Sequence, residues 1–135
     1  MKTHTFQVPE PINEITKDYL KGSPERTEVI ETYNSMYSKK IDVPLYIGKD
    51  EVFTVKKGNI NPPHDHQKIV GTYSVCEPIH VKNAIKSCLN VKNQWTNTQW
   101  QDRAAIFLKA AELIAGPYRA KINAATMIGQ SKSIF

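Results

Sequence analysis

Four stretches of the chain place apolar side chains at the three- and four-residue spacing of helices that pack on a core. The first stretch opens with Ser23 and Pro24, a residue that can cap free backbone amides and one that suits the first helical turn. The second also opens with a proline, Pro78. We therefore predict four helices, over residues 23–40, 78–95, 99–115 and 118–128.

The apolar stripe of each helix predicts the side that is buried. The stripes of the first three helices are Val29, Ile30, Tyr33, Met36 and Tyr37; Val81, Ala84, Ile85, Cys88 and Leu89; and Trp100, Ala104, Phe107, Ala111 and Ile114. If Phe107 is fully buried, its replacement by Ala should cost about 3–5 kcal/mol. Gly116, followed by Pro117, predicts a left-handed glycine at the end of the third helix, and Gly129 predicts the end of the fourth.

Two short runs rich in β-branched and aromatic residues predict a β-hairpin after the first helix. Its strands are residues 43–47 and 52–55, joined by a turn over residues 48–51. Because Pro44 has no backbone N–H to donate, its strand should lie at a sheet edge. A second turn over residues 61–66 leads to a strand over 69–75.

Length and composition fit one domain with a short leading segment. The chain has 135 residues, 40% of them hydrophobic. We predict an extended, proline-punctuated arm over residues 1–22, ahead of the mixed α/β region 23–135. No apolar run reaches the roughly 18 residues that a membrane span needs. The first residues resemble neither a secretory signal nor an Arg-rich transit peptide, so we predict a cytoplasmic protein without a membrane partner.

The net charge of +5 comes from the second half of the chain. Residues 1–60 contain nine basic and nine acidic residues, whereas residues 61–135 contain nine basic and four acidic ones. The basic residues are dispersed along the predicted helices, and no zinc, RNA-recognition or helix-turn-helix signature accompanies them. We predict solvated helix faces and no nucleic-acid partner. The alternative is a free-standing basic interaction or nucleic-acid-binding module.

Residues that could carry chemistry are few. Cys76 and Cys88 lack CxxC spacing, and Cys88 falls on an apolar stripe, where a thiol behaves as a small hydrophobe. His64-Asp65-His66 is the one local cluster typical of metal ligands, but it follows two prolines in a turn and has no third or fourth ligand nearby. We interpret it as exposed turn residues, with a metal role as the alternative.

No known nucleotide or catalytic motif is complete. Residues 129–133 lack the second glycine and the preceding strand of a phosphate loop, and no GxGxxG or nucleophile elbow occurs. We therefore predict no catalytic, cofactor-binding or metal-binding residue in this chain.

Several separate motifs carry a family resemblance. Asn61–Gly71 is similar in position to an Asn-Pro-x-x-Gly-x-x-Ile-Gly segment, and a spaced pattern follows it. That pattern is Val81, Ala84, Trp95, Arg103, Ala104, Leu108 and Ala110. Both resemble the N-terminal part of the NAD(P)-dependent aldehyde dehydrogenase superfamily. Within it, residues 22–26, 103–111, 116–119 and 126–132 resemble the L-glutamate γ-semialdehyde (pyrroline-5-carboxylate) dehydrogenase family.

The resemblance implies an NAD-dependent oxidation of L-glutamate γ-semialdehyde to L-glutamate in proline degradation. In that family a cysteine thiolate attacks the aldehyde, a hydride passes to the nicotinamide, and a glutamate activates the water that releases the product. These residues lie in later segments of the family, and neither Cys76 nor Cys88 matches the catalytic motif.

We therefore expect an inactive N-terminal fragment, roughly the first quarter of the fold, with the parallel cofactor-binding sheet incomplete. The intact enzyme is expected to bind a small aldehyde and to form a homo-oligomer. Alone, the fragment is expected to aggregate or to unfold easily, because its apolar surfaces would lack their partners.

Overall fold

The computed structural model describes residues 9–135, so the first eight residues of the predicted arm lie outside the described part. Residues 9–20 contain no helix or strand. The four helices are α1 (Pro24–Ser38), α2 (Pro78–Asn97), α3 (Trp100–Ala115) and α4 (Arg119–Gln130). The five strands are β1 (Ile41–Val43), β2 (Leu45–Ile47), β3 (Asp50–Val52), β4 (Lys57–Ile60) and β5 (Gly71–Ser74).

The strands form two small sheets, which confirms the predicted α/β class. One sheet has the order β1-β5-β4, in which β1 is parallel to β5 and β4 is antiparallel to it. The other sheet is the predicted hairpin of β2 and β3, with Leu45 opposite Val52. Asp42 joins the edges of the first sheet, since it pairs with Lys57 and accepts a hydrogen bond of 2.9 Å from the Thr72 hydroxyl.

The predicted strand bounds are wrong around Pro44. This residue lies between β1 and β2 rather than within one edge strand, and it separates a strand of the first sheet from a strand of the hairpin. The physical reason is the missing N–H, which interrupts the ladder. The second hairpin strand ends at Val52, and Val55 is fully exposed. Strand β4 was not predicted because Ile60 is the only β-forming residue in Lys57-Gly58-Asn59-Ile60.

The core lies between α1 and α4. Val29 of α1 is completely buried against Ala124 of α4, and Tyr19 closes one side. The hydroxyl of Tyr19 accepts a hydrogen bond of 2.8 Å from the Asn123 amide, and its carbonyl accepts one of 2.9 Å from Arg26. The segment before α1 is therefore fixed to both helices.

Helix starts follow the sequence more closely than helix ends. The Ser23 hydroxyl accepts a hydrogen bond from the Arg26 amide, as its capping position predicts. The predicted left-handed glycine at Gly116 is wrong, since φ is −107° there and its N–H bonds back to Glu112. Helix α4 continues past Gly129 to Gln130, and Ser131 takes the left-handed conformation with φ of 53°.

The predicted burial of the α2 and α3 stripes is wrong for this chain. Among the described residues, neither helix contains one buried side chain, and Cys88 is exposed. Only the α1 stripe finds a partner, and even there Ile30 is exposed. Period alone predicts which side of a helix is apolar, but burial also requires an opposing surface.

Candidate functional site

A cluster of polar and aromatic side chains joins α1, the turn before β5 and the end of α4. The His64 ring stands at its centre: Nδ1 lies 2.8 Å from the Ser131 hydroxyl and Nε2 lies 3.4 Å from the Tyr33 hydroxyl. The ring also stacks on Tyr37, with centroids 6.1 Å apart. His64 thus joins residues that are 31 and 67 positions away in sequence.

Tyr37 gives this cluster its charge pattern. Its hydroxyl donates a hydrogen bond of 3.0 Å to Asp65, and the Lys68 ammonium lies 5.3 Å from the centre of its ring. Loss of solvent around the phenol, together with the Asp65 carboxylate, raises the pKa of Tyr37 above its ordinary value. The raised pKa keeps the phenol protonated, so that its hydroxyl can donate the hydrogen bond to Asp65.

The cluster does not assemble a metal site. His64 and His66 are both exposed in the turn, as the sequence indicates, but His66 shares no partner with His64. Within residues 9–135 no three His, Cys, Asp or Glu side chains come together as metal ligands. The metal alternative for His64-Asp65-His66 thus has no third ligand in the described part of the chain.

The cysteines lie apart from this cluster. Cys76 is exposed beside Glu77, whose carbonyl lies 3.6 Å from the sulfur, and Cys88 lies exposed on α2. Sequence reasoning missed the role of His80, whose Nδ1 accepts a hydrogen bond of 3.1 Å from the Glu77 amide at the start of α2. A histidine three residues after a helix cap is the signal that could have indicated it.

The hairpin lies on the polar side of α2. The two elements line one groove, with Ile47, Asp50 and Val52 from the hairpin and Ile79, His80, Asn83, Lys86, Ser87 and Asn90 from the helix. The turn approaches closely at Gly48, where a Cβ atom would lie 2.6 Å from the Ser87 hydroxyl. This side of α2 is therefore already in contact with the chain.

The apolar stripe of α2 points away from the hairpin. At about 100° per residue, Val81, Ile85, Cys88 and Leu89 fall on the side of the helix roughly opposite Asn83. Ile85 and Leu89 are 55% and 61% exposed. A helix whose apolar stripe is this exposed is typical of a docking element.

The described part of the chain does not form a dinucleotide site. The first sheet has a single parallel pair, β1 with β5, and no glycine-rich turn leads from it into a helix. The connection from β5 to α2 is Val75-Cys76-Glu77, and Glu77 would repel a phosphate there. We therefore assign no step of cofactor chemistry to these residues.

The sequence is similar to the N-terminal part of longer known proteins. No protein-family model matches the sequence. It is 41% identical over 130 residues to the Δ1-pyrroline-5-carboxylate dehydrogenase of Agaricus bisporus, a match that covers 96% of this chain and 24% of that protein. It is 38% identical over 130 residues to the mitochondrial enzyme of that name from Emericella nidulans, covering 96% of this chain and 23% of the relative.

The solved structures agree with this similarity. The Δ-pyrroline-5-carboxylate dehydrogenase of Mycobacterium tuberculosis, bound with NAD and cobalamin, superposes with a TM-score of 0.94 and 37% identity. The match covers 100% of this chain and 26% of that one. The resemblance read from the motifs is thereby confirmed, as is the fold of the N-terminal part. The chain spans about a quarter of the length of these relatives.

Proposed function

We propose that this chain forms the N-terminal quarter of an NAD-dependent dehydrogenase that oxidises L-glutamate γ-semialdehyde to L-glutamate. The observation that carries the proposal is the agreement of sequence and backbone over the whole chain: 37% identity and a TM-score of 0.94 with one NAD-bound relative. In the reaction, the aldehyde carbon loses a hydride to NAD⁺ and gains an oxygen from water, giving NADH and the carboxylate.

The chain itself supplies scaffold in this proposal. Residues 1–22 serve as an arm, and residues 23–135 form the first part of the dehydrogenase domain. We assign no catalytic, cofactor-binding or metal-binding residue to the chain, so the thiolate, the general base and the dinucleotide site belong to the other three quarters. The exposed α2 and α3 surfaces support this view, because they lack an opposing layer within residues 9–135.

A chimera tests the proposal directly. The chain is fused to the remaining three quarters of the Agaricus bisporus relative, at the end of the aligned region. We expect NADH formation with L-glutamate γ-semialdehyde from the chimera, and none from the 135-residue chain alone. The intact Agaricus protein and its isolated C-terminal three quarters are the matched controls.

A folded chimera that fails to form NADH, beside an active Agaricus control, would overturn the proposal. So would turnover by the 135-residue chain alone, since it would locate the chemistry within residues that we treat as scaffold. Salt-sensitive binding of nucleic acid by the chain would favour the basic interaction module instead.

Two finer points belong to the same proposal. We propose a homo-oligomeric enzyme, which light scattering of the active chimera would test. We also propose a cytoplasmic location. The Emericella nidulans relative is named as mitochondrial, so fractionation of the source cells is the deciding measurement. In the described residues, no helix is long and apolar enough to cross a membrane.

A further inference from the structure

The groove between the hairpin and α2 has a volume of about 440 Å³. This volume falls in the roughly 300–1,000 Å³ range of small-molecule sites. The hairpin turn lies close to the helix at Gly48, where a Cβ atom would be 2.6 Å from the Ser87 hydroxyl. Gly48 also has φ of 64°, a conformation that favours glycine. A glycine at this turn thus allows the hairpin and α2 to line one groove.

The helix wall of the groove is polar. Asn83, Lys86 and Ser87 lie at the three- and four-residue spacing that places side chains on one side of a helix. Among the described residues, none of these three side chains has a hydrogen-bond or ion-pair partner. Their polar groups are therefore free to bind a molecule in the groove.

The hairpin wall supplies a negative charge and an apolar surface. Ile47 is opposite Asp50 in the hairpin register, and Val52 is two residues further along β3, so these three side chains share one face of the hairpin. Ile79 of α2 adds to the apolar surface. In the described part of the chain, Asp50 forms no ion pair with Lys86, although both line the groove.

The pair of opposite charges restricts the class of ligand. A phosphate or a dicarboxylate would bring a second negative charge toward Asp50, and a diamine would bring a second positive charge toward Lys86, so like-charge repulsion opposes both classes. A zwitterion carries one charge of each sign and complements both side chains. The apolar surface beside them favours a hydrocarbon group on the same molecule.

We propose that this groove binds a free α-amino acid with an apolar side chain. The Lys86 ammonium and the Asn83 amide hold the carboxylate, Asp50 holds the ammonium group, and the side chain lies on the apolar surface of the groove. Water screens charges in an open groove, so the dissociation constant should be roughly 1 mM. The site lies in a part of the chain to which we assign no dehydrogenase chemistry, and it does not depend on the proposed function.

Methyl NMR of the 135-residue chain, titrated with L-leucine as the probe, tests the site. We expect the methyl signals of Ile47, Val52 and Ile79 to shift, and that of Val29 in the α1–α4 core to stay in place. Two analogues of the same shape each lack one charged group: 4-methylpentanoate has no ammonium and 3-methylbutylamine has no carboxylate. Each should bind about fivefold more weakly or worse, because one charge-assisted contact is lost.

Charge-removing variants provide the second measurement. Lys86→Met and Asp50→Asn should each weaken the binding of L-leucine by about fivefold or more. Lys82→Met and Glu51→Gln remove the same charges from positions that do not line the groove, and binding should stay within about twofold of the parent. All four side chains are exposed, so circular dichroism should show the parent fold in each variant.

The inference is overturned if the chain shows no methyl shift at about ten times the expected dissociation constant. Equal weakening in the groove variants and in their controls would also overturn it, because net charge would then account for the binding. The same titration of the full-length chimera separates the inference from the proposed function. An active chimera without the methyl shifts overturns the groove site alone. An inactive chimera that shows them supports the groove site and removes the function.

Discussion

The α1–α4 pair and the α2–α3 pair show what an amphipathic pattern does and does not determine. Both pairs consist of helices with apolar side chains at helical spacing. Val29 in α1 and Ala124 in α4 are completely buried, whereas α2 and α3 contain no buried residue. The difference arises because α1 and α4 lie against each other, and the other two helices keep most of their apolar surface in solvent.

This contrast separates two sources of helix formation. A residue such as Pro78 starts a helix through local geometry, and that signal works whether or not the helix is covered. Burial instead requires a second surface, which most helices need for stability in water. We therefore expect α1 and α4 to hold the fold of the chain alone and α2 and α3 to be its least stable helices.

The largest expected effect comes from placing the same charge in the two pairs. Val29→Asp puts a carboxylate at a position with no solvent exposure, and it should cost several kcal/mol, a large share of the about 5–15 kcal/mol that stabilises a typical domain. Val81→Asp, at a position 49% exposed on α2, should change the free energy of unfolding by less than about 1 kcal/mol. Urea denaturation followed by circular dichroism measures both. Equal losses would mean that the α2 stripe is already covered in the isolated chain.

A smaller effect is expected from the hydrogen bond that closes the α1–α4 core. Tyr19→Phe removes the acceptor of the 2.8 Å bond from Asn123 and should cost about 1 kcal/mol. The control is Tyr46→Phe on the hairpin, where the ring is 71% exposed and we expect a change within about 0.5 kcal/mol. The same denaturation experiment checks the pair. If Tyr19→Phe is as stable as the parent, the hydrogen bond between Asn123 and Tyr19 does not stabilise the core.

Truncation of Phe107 should have less effect than its pattern indicates. The stripe of α3 predicts a loss of about 3–5 kcal/mol for Phe107→Ala if the ring is buried, but the ring is 67% exposed. In the 135-residue chain we therefore expect a loss below about 1 kcal/mol. In the full-length chimera the loss should return toward the larger range, because the ring would then be covered. A large loss in the chain alone would contradict the open α3 surface.

The elements of this fold could be predicted from sequence where local chemistry decides them. The starts of α1 and α2, the hairpin and the turn around His64 all follow from residues close in the chain. Strand β4 could not be predicted, because its pairing with β5 depends on position in the fold rather than on its own residues. The end of α3 at Gly116 was placed correctly, but the conformation of the glycine was not.

The candidate site shows the same limit more sharply. The sequence singled out His64 only as part of a local cluster, whereas its partners are far away in the chain: Tyr33 lies on α1 and Ser131 follows the end of α4. No local spacing indicates such contacts. The family resemblance, in contrast, could be recognised from sequence, because it depends on several short motifs and on their order along the chain.

The smallest expected effect concerns the titration of Tyr37. Its hydroxyl bonds to Asp65 and so connects α1 to the turn before β5. Its pKa is raised by loss of solvent and, next, by the Asp65 carboxylate. Because the folded state favours the neutral phenol, the contribution of Tyr37 to stability is fully present below the ordinary tyrosine pKa of about 10 and is lost as pH rises through the folded pKa. Alkaline pH should thus loosen this contact of α1.

The absorbance of the phenolate measures this shift as the difference between the parent and Tyr37→Phe. Asp65→Asn should move the pKa of Tyr37 part of the way down, since the desolvation that is its first cause remains. Asp102→Asn removes a carboxylate from α3, away from this cluster, and should leave the titration of Tyr37 unchanged. Equal shifts in the two variants would mean that net charge, and not the 3.0 Å bond to Asp65, sets the pKa. If the pKa of Tyr37 shifts in Asp65→Asn but not in Asp102→Asn, the contact between Tyr37 and Asp65 forms in the 135-residue chain by itself.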